Sequence, residues 1–222
     1  MDSPAQFIDH TLLKPDASKA EIAELCEEAV EYGFASVCVP PVFVSQASQL
    51  LYGSEVAVCT VIGFPLGYQT TEAKVLEAHQ ATSSGAGEID MVIQLGAARM
   101  ADFAAVRDEI RKIVAAADNR LVKVIIECCL FDAFVKRKLA EIVVESGADY
   151  VKTSTGFAAA GATLEDVRLL DQVIAGRIGI KAAGGIRDWS ACELMLAAGA
   201  NRIGTSAGVK IVQQWRNSAG LI

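Results

Sequence analysis

The chain has 222 residues, 52% of them hydrophobic and 21% charged, and its 20 Lys and Arg against 27 Asp and Glu give a net charge of −7. So apolar a composition offsets the entropy of ordering and excludes a disordered chain; the length suits a single domain, residues 1–222, with a sizeable core. The negative balance disfavours nucleic acid as a partner, while a small anionic metabolite is acceptable at a locally positive site.

Six cysteines, two of them adjacent at Cys128 and Cys129, do not make a secreted disulfide framework. The thiols are therefore read as reduced. The first residues, Met1 to Pro4, carry no basic patch or apolar run, and no stretch approaches the ~18 apolar residues of a membrane span. The expectation is a cytoplasmic protein with no membrane partner.

Along the chain, short β-branched runs alternate with longer Ala/Glu/Leu/Arg-rich stretches of helical spacing. A short candidate strand at 7–9 comes first. A helix over 18–32 follows, announced by the Ser18/Glu21 capping box and stopped by Gly33. Strands at 36–39 and 56–62 lead to a helix over 71–83. Next come a strand at 88–93, a helix over 101–117, a strand at 121–126 and a helix over 131–146 that stops at Gly147. A strand at 149–153, a helix over 163–174, a strand at 178–182, a helix over 189–198 and a strand at 201–204 complete the series. Runs this apolar belong to a parallel sheet buried on both faces. Eight strand–helix units of roughly 28 residues predict a (β/α)8 barrel; an open doubly wound sheet is the competing arrangement. Similar helix-to-strand turns at Gly85, Gly147 and Gly199 favour the regular barrel.

In a barrel, chemistry sits at the carboxyl ends of the strands. The polar residues that end the apolar runs are Asp9, Asp90, Glu127, Lys152 and Lys181. A lysine on a doubly buried strand has only the barrel mouth to point into, or a carboxylate to neutralise. Lys152 and Lys181 stand on consecutive strands, where neighbouring ammonium groups and partial desolvation favour a neutral amine. A neutral lysine attacks a carbonyl to form a Schiff base. Asp90 is the natural proton carrier beside them, or else a buried residue that caps a loop. Glu127 holds a lysine charged or orients a loop, and Lys123, on the same strand, joins the charge network.

Two glycine-rich stretches, 183–187 and 204–208, follow the last two strands and are each read as opening a helix. Such N–H-rich turns cradle phosphate, which singles out Gly184, Gly185, Gly204, Thr205 and Ser206, with Arg187 adding charge or simply solvated. After Lys152, Thr155 and Gly156 offer donors to a substrate or shape the turn. His10 is expected to orient Asp9 or Thr11, and His79 to lie on the surface. Cys38 is read as a small buried hydrophobe. No spacing of His or Cys suits a metal, so neither metal nor cofactor is expected.

The stretches IDHTLLKP (8–15), VIGFPLG (61–67), GAGEIDMV (85–92), KVIIE (123–127), GADYVKTSTGF (147–157) and KAAGGIR (181–187) resemble deoxyribose-phosphate aldolases over about residues 7–208. The resemblance implies a (β/α)8 barrel that cleaves 2-deoxy-D-ribose 5-phosphate, reversibly and without a metal, to D-glyceraldehyde 3-phosphate and acetaldehyde, in deoxyribonucleotide catabolism. It makes Lys152 the Schiff-base lysine, Lys181 the second lysine that tunes it and relays protons, and Asp90 the proton donor and acceptor. Asp9, Thr11, Lys123 and Glu127 would support them, in a homodimer or homotetramer. The sequence departs from many relatives at Cys128, where they carry Thr, and at its end, Leu221-Ile222, where some carry a Tyr that reaches the site. Phe157 also supplies no charge to a phosphate. The alternatives are a Schiff-base aldolase for another phosphorylated sugar, and a barrel that binds a sugar phosphate without turning it over.

Overall fold

The structure, a computed structural model, describes residues 3–220. The expected domain also takes in residues 1, 2, 221 and 222, including the Leu221-Ile222 end, which lie outside the described residues. The elements are β1 (Ile8–Thr11), α1 (Lys19–Tyr32), β2 (Ser36–Val39), α2 (Val44–Leu50), β3 (Ala57–Ile62), α3 (Thr71–Ser83), β4 (Glu88–Val92), α4 (Leu95–Arg99) and α5 (Phe103–Ala116). They continue as β5 (Leu121–Ile125), α6 (Ala133–Glu145), β6 (Tyr150–Lys152), α7 (Leu164–Ile174), β7 (Gly179–Ala183), α8 (Trp189–Ala197), β8 (Arg202–Thr205) and α9 (Gly208–Ser218). The eight strands pair in parallel, each with its chain neighbours, and β8 closes on β1. The barrel, not the open sheet, is the fold.

Strand alternation explains how the barrel buries both apolar and charged residues. Val37, Val58, Ile89, Val124, Val151, Ile180 and Ile203 face outward into one core beneath the helices. Their strand neighbours Asp9, Glu88, Asp90, Lys123, Lys152, Lys181 and Arg202 turn inward, where their side chains meet. Branched apolar side chains usually fill the interior of such barrels; here ion pairs occupy much of it.

The helix signals hold: Ser18 and Glu21 form the capping box, and Gly33 takes a left-handed conformation after α1. Two helices escape the sequence pattern. The seven-residue α2 and five-residue α4 are too short to show a helical period.

Candidate active site

The strand register puts the charged side chains in contact. Lys152 and Lys181 are Cα partners on β6 and β7, and Asp90 and Lys123 are partners on β4 and β5. Asp90 lies at the centre. Its Oδ2 accepts from Lys152 Nζ at 2.6 Å and Lys181 Nζ at 2.7 Å, and its Oδ1 accepts from Lys123 Nζ at 2.9 Å. Lys181 also pairs with Asp9. Lys123 pairs with Glu88 at 2.6 Å, and Arg202 ties Asp9 (2.6 Å) to Glu88 (3.2 Å). Strand β7 runs on to Ala183, so Lys181 does not end its strand as the sequence suggested. It is fully buried, as are Asp9, Asp90 and Lys123.

The cluster is mutually charging. Burial opposes ionisation of Asp90, but Lys123, Lys152 and Lys181 outweigh it and hold the carboxyl well below the usual carboxylate range. Asp9 is likewise lowered against burial, chiefly by Lys181. Lys181 is raised despite burial by Asp9 and Asp90, and Lys123 is raised despite burial, foremost by Asp90. Three carboxylates, Asp9, Glu88 and Asp90, face four cations, Lys123, Lys152, Lys181 and Arg202. Loss of one proton balances the box. Lys152 has one carboxylate partner where each other cation has at least two, so it is the cation of the box held by the fewest ion pairs.

Lys152 is also the cation of this box that reaches open space. It lines a cavity of about 240 Å³ together with Thr11, Thr155, Gly156, Gly184, Gly185, Gly204, Thr205 and Ser206. All the residues singled out for substrate or phosphate thus border one space. Lys14 and Arg187 add positive charge to its wall; Lys14 had been noticed only as part of a motif, because a single exposed lysine carries no sequence signal.

The groups around this space divide by whether their donors are free. The N–H groups of Gly184, Gly185 and Ser206 find no acceptor among the described residues. Gly184 has φ +88° and a Cβ there would strike Gly161 at 2.9 Å, so only glycine lets the two loops approach. By contrast Thr155 donates both its N–H (3.2 Å) and its hydroxyl (2.5 Å) to Glu127. The Thr205 hydroxyl donates to Ile186 O at 2.6 Å. These two threonines shape the wall, and their side-chain donors are already spent. Glu127 makes no ion pair with a lysine; it holds the loop after β6 from a left-handed backbone (φ 50°).

Two further expectations need correction. The first glycine stretch does not open a helix directly, since Asp188 intervenes and caps α8 by accepting from Ala191 N; of the two helices that follow the glycine stretches, α9 is the one whose N-terminus has no side-chain cap. His10 orients neither Asp9 nor Thr11. Its Nε2 pairs with Glu28 at 2.6 Å, and its ring packs on Phe34 outside the barrel. Lys123 is a central member of the network. Glu88 and Arg202 were missed, because each begins a strand and reads in sequence as a solvated end.

Among the described residues two groups have metal-like spacing, Cys38–Cys59–Asp90 and Asp9–Cys59–Glu88. Their carboxylates already pair with Lys123, Lys181 and Arg202, an environment that repels a cation.

Comparison with known proteins fits this arrangement. The family described as DeoC/LacD family aldolase matches residues 5–214. A deoxyribose-phosphate aldolase of Syntrophotalea carbinolica is 56% identical over 221 residues, 100% of both chains. That of Deinococcus radiodurans is 50% identical over 98% of this chain and 99% of its own. Among solved structures, the aldolase QR15 superimposes with TM-score 0.95 at 41% identity over all of both chains. The tetrameric deoxyribose phosphate aldolase of Aeropyrum pernix gives TM-score 0.92 at 37% identity, covering 98% of this chain and 94% of that one. The lysine-centred barrel described above belongs to a member of the DeoC/LacD aldolase family.

Proposed function

We propose that this chain cleaves 2-deoxy-D-ribose 5-phosphate reversibly to D-glyceraldehyde 3-phosphate and acetaldehyde, with Lys152 as the Schiff-base nucleophile. One observation carries the reading: the single cation of the buried box that opens on the cavity is the lysine with the fewest ion pairs. The names and identities of the relatives supply the substrate.

Lys152, as a free amine, adds to C1 of the open-chain sugar, and loss of water gives an iminium ion. A base takes the C3 hydroxyl proton while the C2–C3 bond breaks, its electron pair flowing to the iminium carbon and nitrogen. Glyceraldehyde 3-phosphate leaves. The enamine is then protonated at C2, and water hydrolyses the iminium to acetaldehyde and free Lys152. Asp90, kept ionised by Lys123 and Lys181, is the base within reach, directly or through a water. Lys181 places a second positive charge beside Lys152, and it relays protons through the carboxylate the two share. At the other end of the cavity, the N–H groups of Gly184, Gly185 and Ser206, with Lys14 and Arg187, receive the phosphate. Glu127 and Thr155 hold the intervening loop, and Thr11 borders the sugar.

Borohydride reduction in the presence of acetaldehyde tests this directly. An ethyl adduct on Lys152 alone is the expected product. A protein with Lys152 unmodified under conditions of turnover would sink the assignment. A cytoplasmic, single-domain homodimer or homotetramer forms part of the same proposal, supported by the tetramer named for the Aeropyrum pernix relative. Among the described residues no helix is long and apolar enough to cross a membrane. Sedimentation of the purified chain checks the subunit count.

A further inference from the structure

The inner wall of the barrel beside Asp90 carries a pair of cysteines that the proposed reaction does not use. Cys38 on β2 and Cys59 on β3 are Cα partners in the parallel register. Neighbouring strands lie about 4.8 Å apart, inside the Cα separation that a disulfide spans. Both side chains turn to the same face, where they form a small cluster with Val61, Leu13 and Phe64. The two Sγ atoms and a carboxylate oxygen of Asp90 lie within 4.8 Å of one another. Cys59 Sγ is 3.2 Å from Asp90 Oδ1 and accepts from Lys123 Nζ at 3.3 Å.

We infer that Cys38 and Cys59 form a peroxide-sensitive redox site, in which reversible oxidation to a disulfide lowers turnover through Asp90. The inference rests on the aldolase reading for its effect on activity, but not for the bond itself. Hydrogen peroxide is the oxidant class that fits, being small and uncharged. A cavity of about 280 Å³ is lined by Leu13, Val61 and Phe64, the same residues that pack against the two buried cysteines. The two thiols are unequal. The proximity of Cys59 draws the Cys38 thiol below its usual pKa against burial, with help from Lys181 and Lys152, whereas burial holds Cys59 well above it. Cys38 is thus the attacking thiolate and Cys59 the resolving thiol. The Cys38 thiolate takes one peroxide oxygen to give sulfenic acid and hydroxide. The Cys59 proton neutralises that hydroxide to the first water, and the Cys59 thiolate then attacks the Cys38 sulfur and displaces its hydroxyl, which leaves as the second water with the proton that Cys38 released on becoming a thiolate. The sum is two thiols and one peroxide to one disulfide and two waters, with two electrons moved to the peroxide. Cys59 loses its S–H, and with it the contact it offers Asp90.

The test treats the full-length protein with hydrogen peroxide and blocks the remaining thiols. Cleavage after Glu31, Glu55 and Glu72 then places Cys38 and Cys59 on separate peptides. A Cys38–Cys59 linked peptide is expected, together with a loss of activity of about tenfold, the worth of one hydrogen bond to a charged group. Dithiothreitol should reverse both. Cys59→Ala, compared with its own untreated activity, should lose the reversible component. No linked peptide, a linked peptide with full activity, or an equal reversible loss in Cys59→Ala would each overturn the inference. Absence of activity in untreated protein would instead count against the aldolase reading, and the peptide map would still decide the disulfide.

Discussion

The protein buries lysines in two places, and they are built on opposite plans. In the helix layer, Lys74 of α3 is fully buried and spends all three of its donors. Its Nζ donates to Gly67 O at 2.9 Å, Val92 O at 2.8 Å and Glu109 Oε1 at 2.7 Å, and Glu109 Oε2 accepts from Gln94 N at 2.8 Å. Charge and hydrogen bonds balance there. Burial pushes the Lys74 pKa down and the Glu109 pKa up against their mutual attraction, and nothing is left over for a ligand. Inside the barrel, four cations share three carboxylates, and Lys152 donates to Asp90 alone. An ammonium has three donors, so Lys152 keeps unspent capacity beside an open cavity. A buried lysine with every donor satisfied fastens loops together. One with donors and charge in surplus is poised to react.

Substitutions should separate the two plans. The largest effect is expected from Lys152→Ala, which should cut kcat by on the order of 10⁴- to 10⁶-fold while the urea midpoint barely moves. A folded variant with appreciable turnover would erase the distinction. Next is Lys74→Met, which leaves Glu109 buried and unpaired and should cost about 3–5 kcal/mol of stability. Activity per folded molecule should change little, and the double variant Lys74→Met/Glu109→Leu should regain part of the loss, as urea titration and assays of the folded fraction would show.

Lys181→Leu mixes both behaviours. It should lower kcat by roughly 10²-fold. Its sharper signature is in pH: Lys181 is held protonated by Asp9 and Asp90, so its removal takes a positive charge from beside Lys152. The acid limb of the kcat/KM profile should therefore move to higher pH; an unmoved limb would remove Lys181 from the tuning role. The smallest effect belongs to Glu127→Gln, which replaces one acceptor at Thr155 by a donor. Loosening that loop should raise KM by about tenfold, with a lesser change in kcat.

Much of this was legible in the sequence, for reasons that differ by element. The strand over 36–39 coincides with β2 and the helix over 71–83 with α3, because β-branched runs and helical spacing are local signals. Lys152 and Lys181 stood out because a charge inside an apolar run needs an explanation wherever the run folds. Thr155 was recognised as bordering the site, but the spending of its donors on Glu127 depends on a contact 28 residues away. Arg202 and Lys74 were invisible for the same reason. At a strand start or within a helix, a charged residue reads as solvated until the packing buries it.

The sequence alone determined the alternation of strands and helices, the motif that carries Lys152, and the glycine turns that follow the last strands, since each is written within a few neighbouring residues. Only the tertiary structure decided that the barrel closes, that Asp9, Glu88 and Asp90 fall short by one charge against four cations, and that Lys152 is the cation left with a single partner. Those facts arise from the register between strands distant in sequence, which brings Arg202 to Asp9 across 193 residues, and a register is a property of closure that no local stretch of sequence contains.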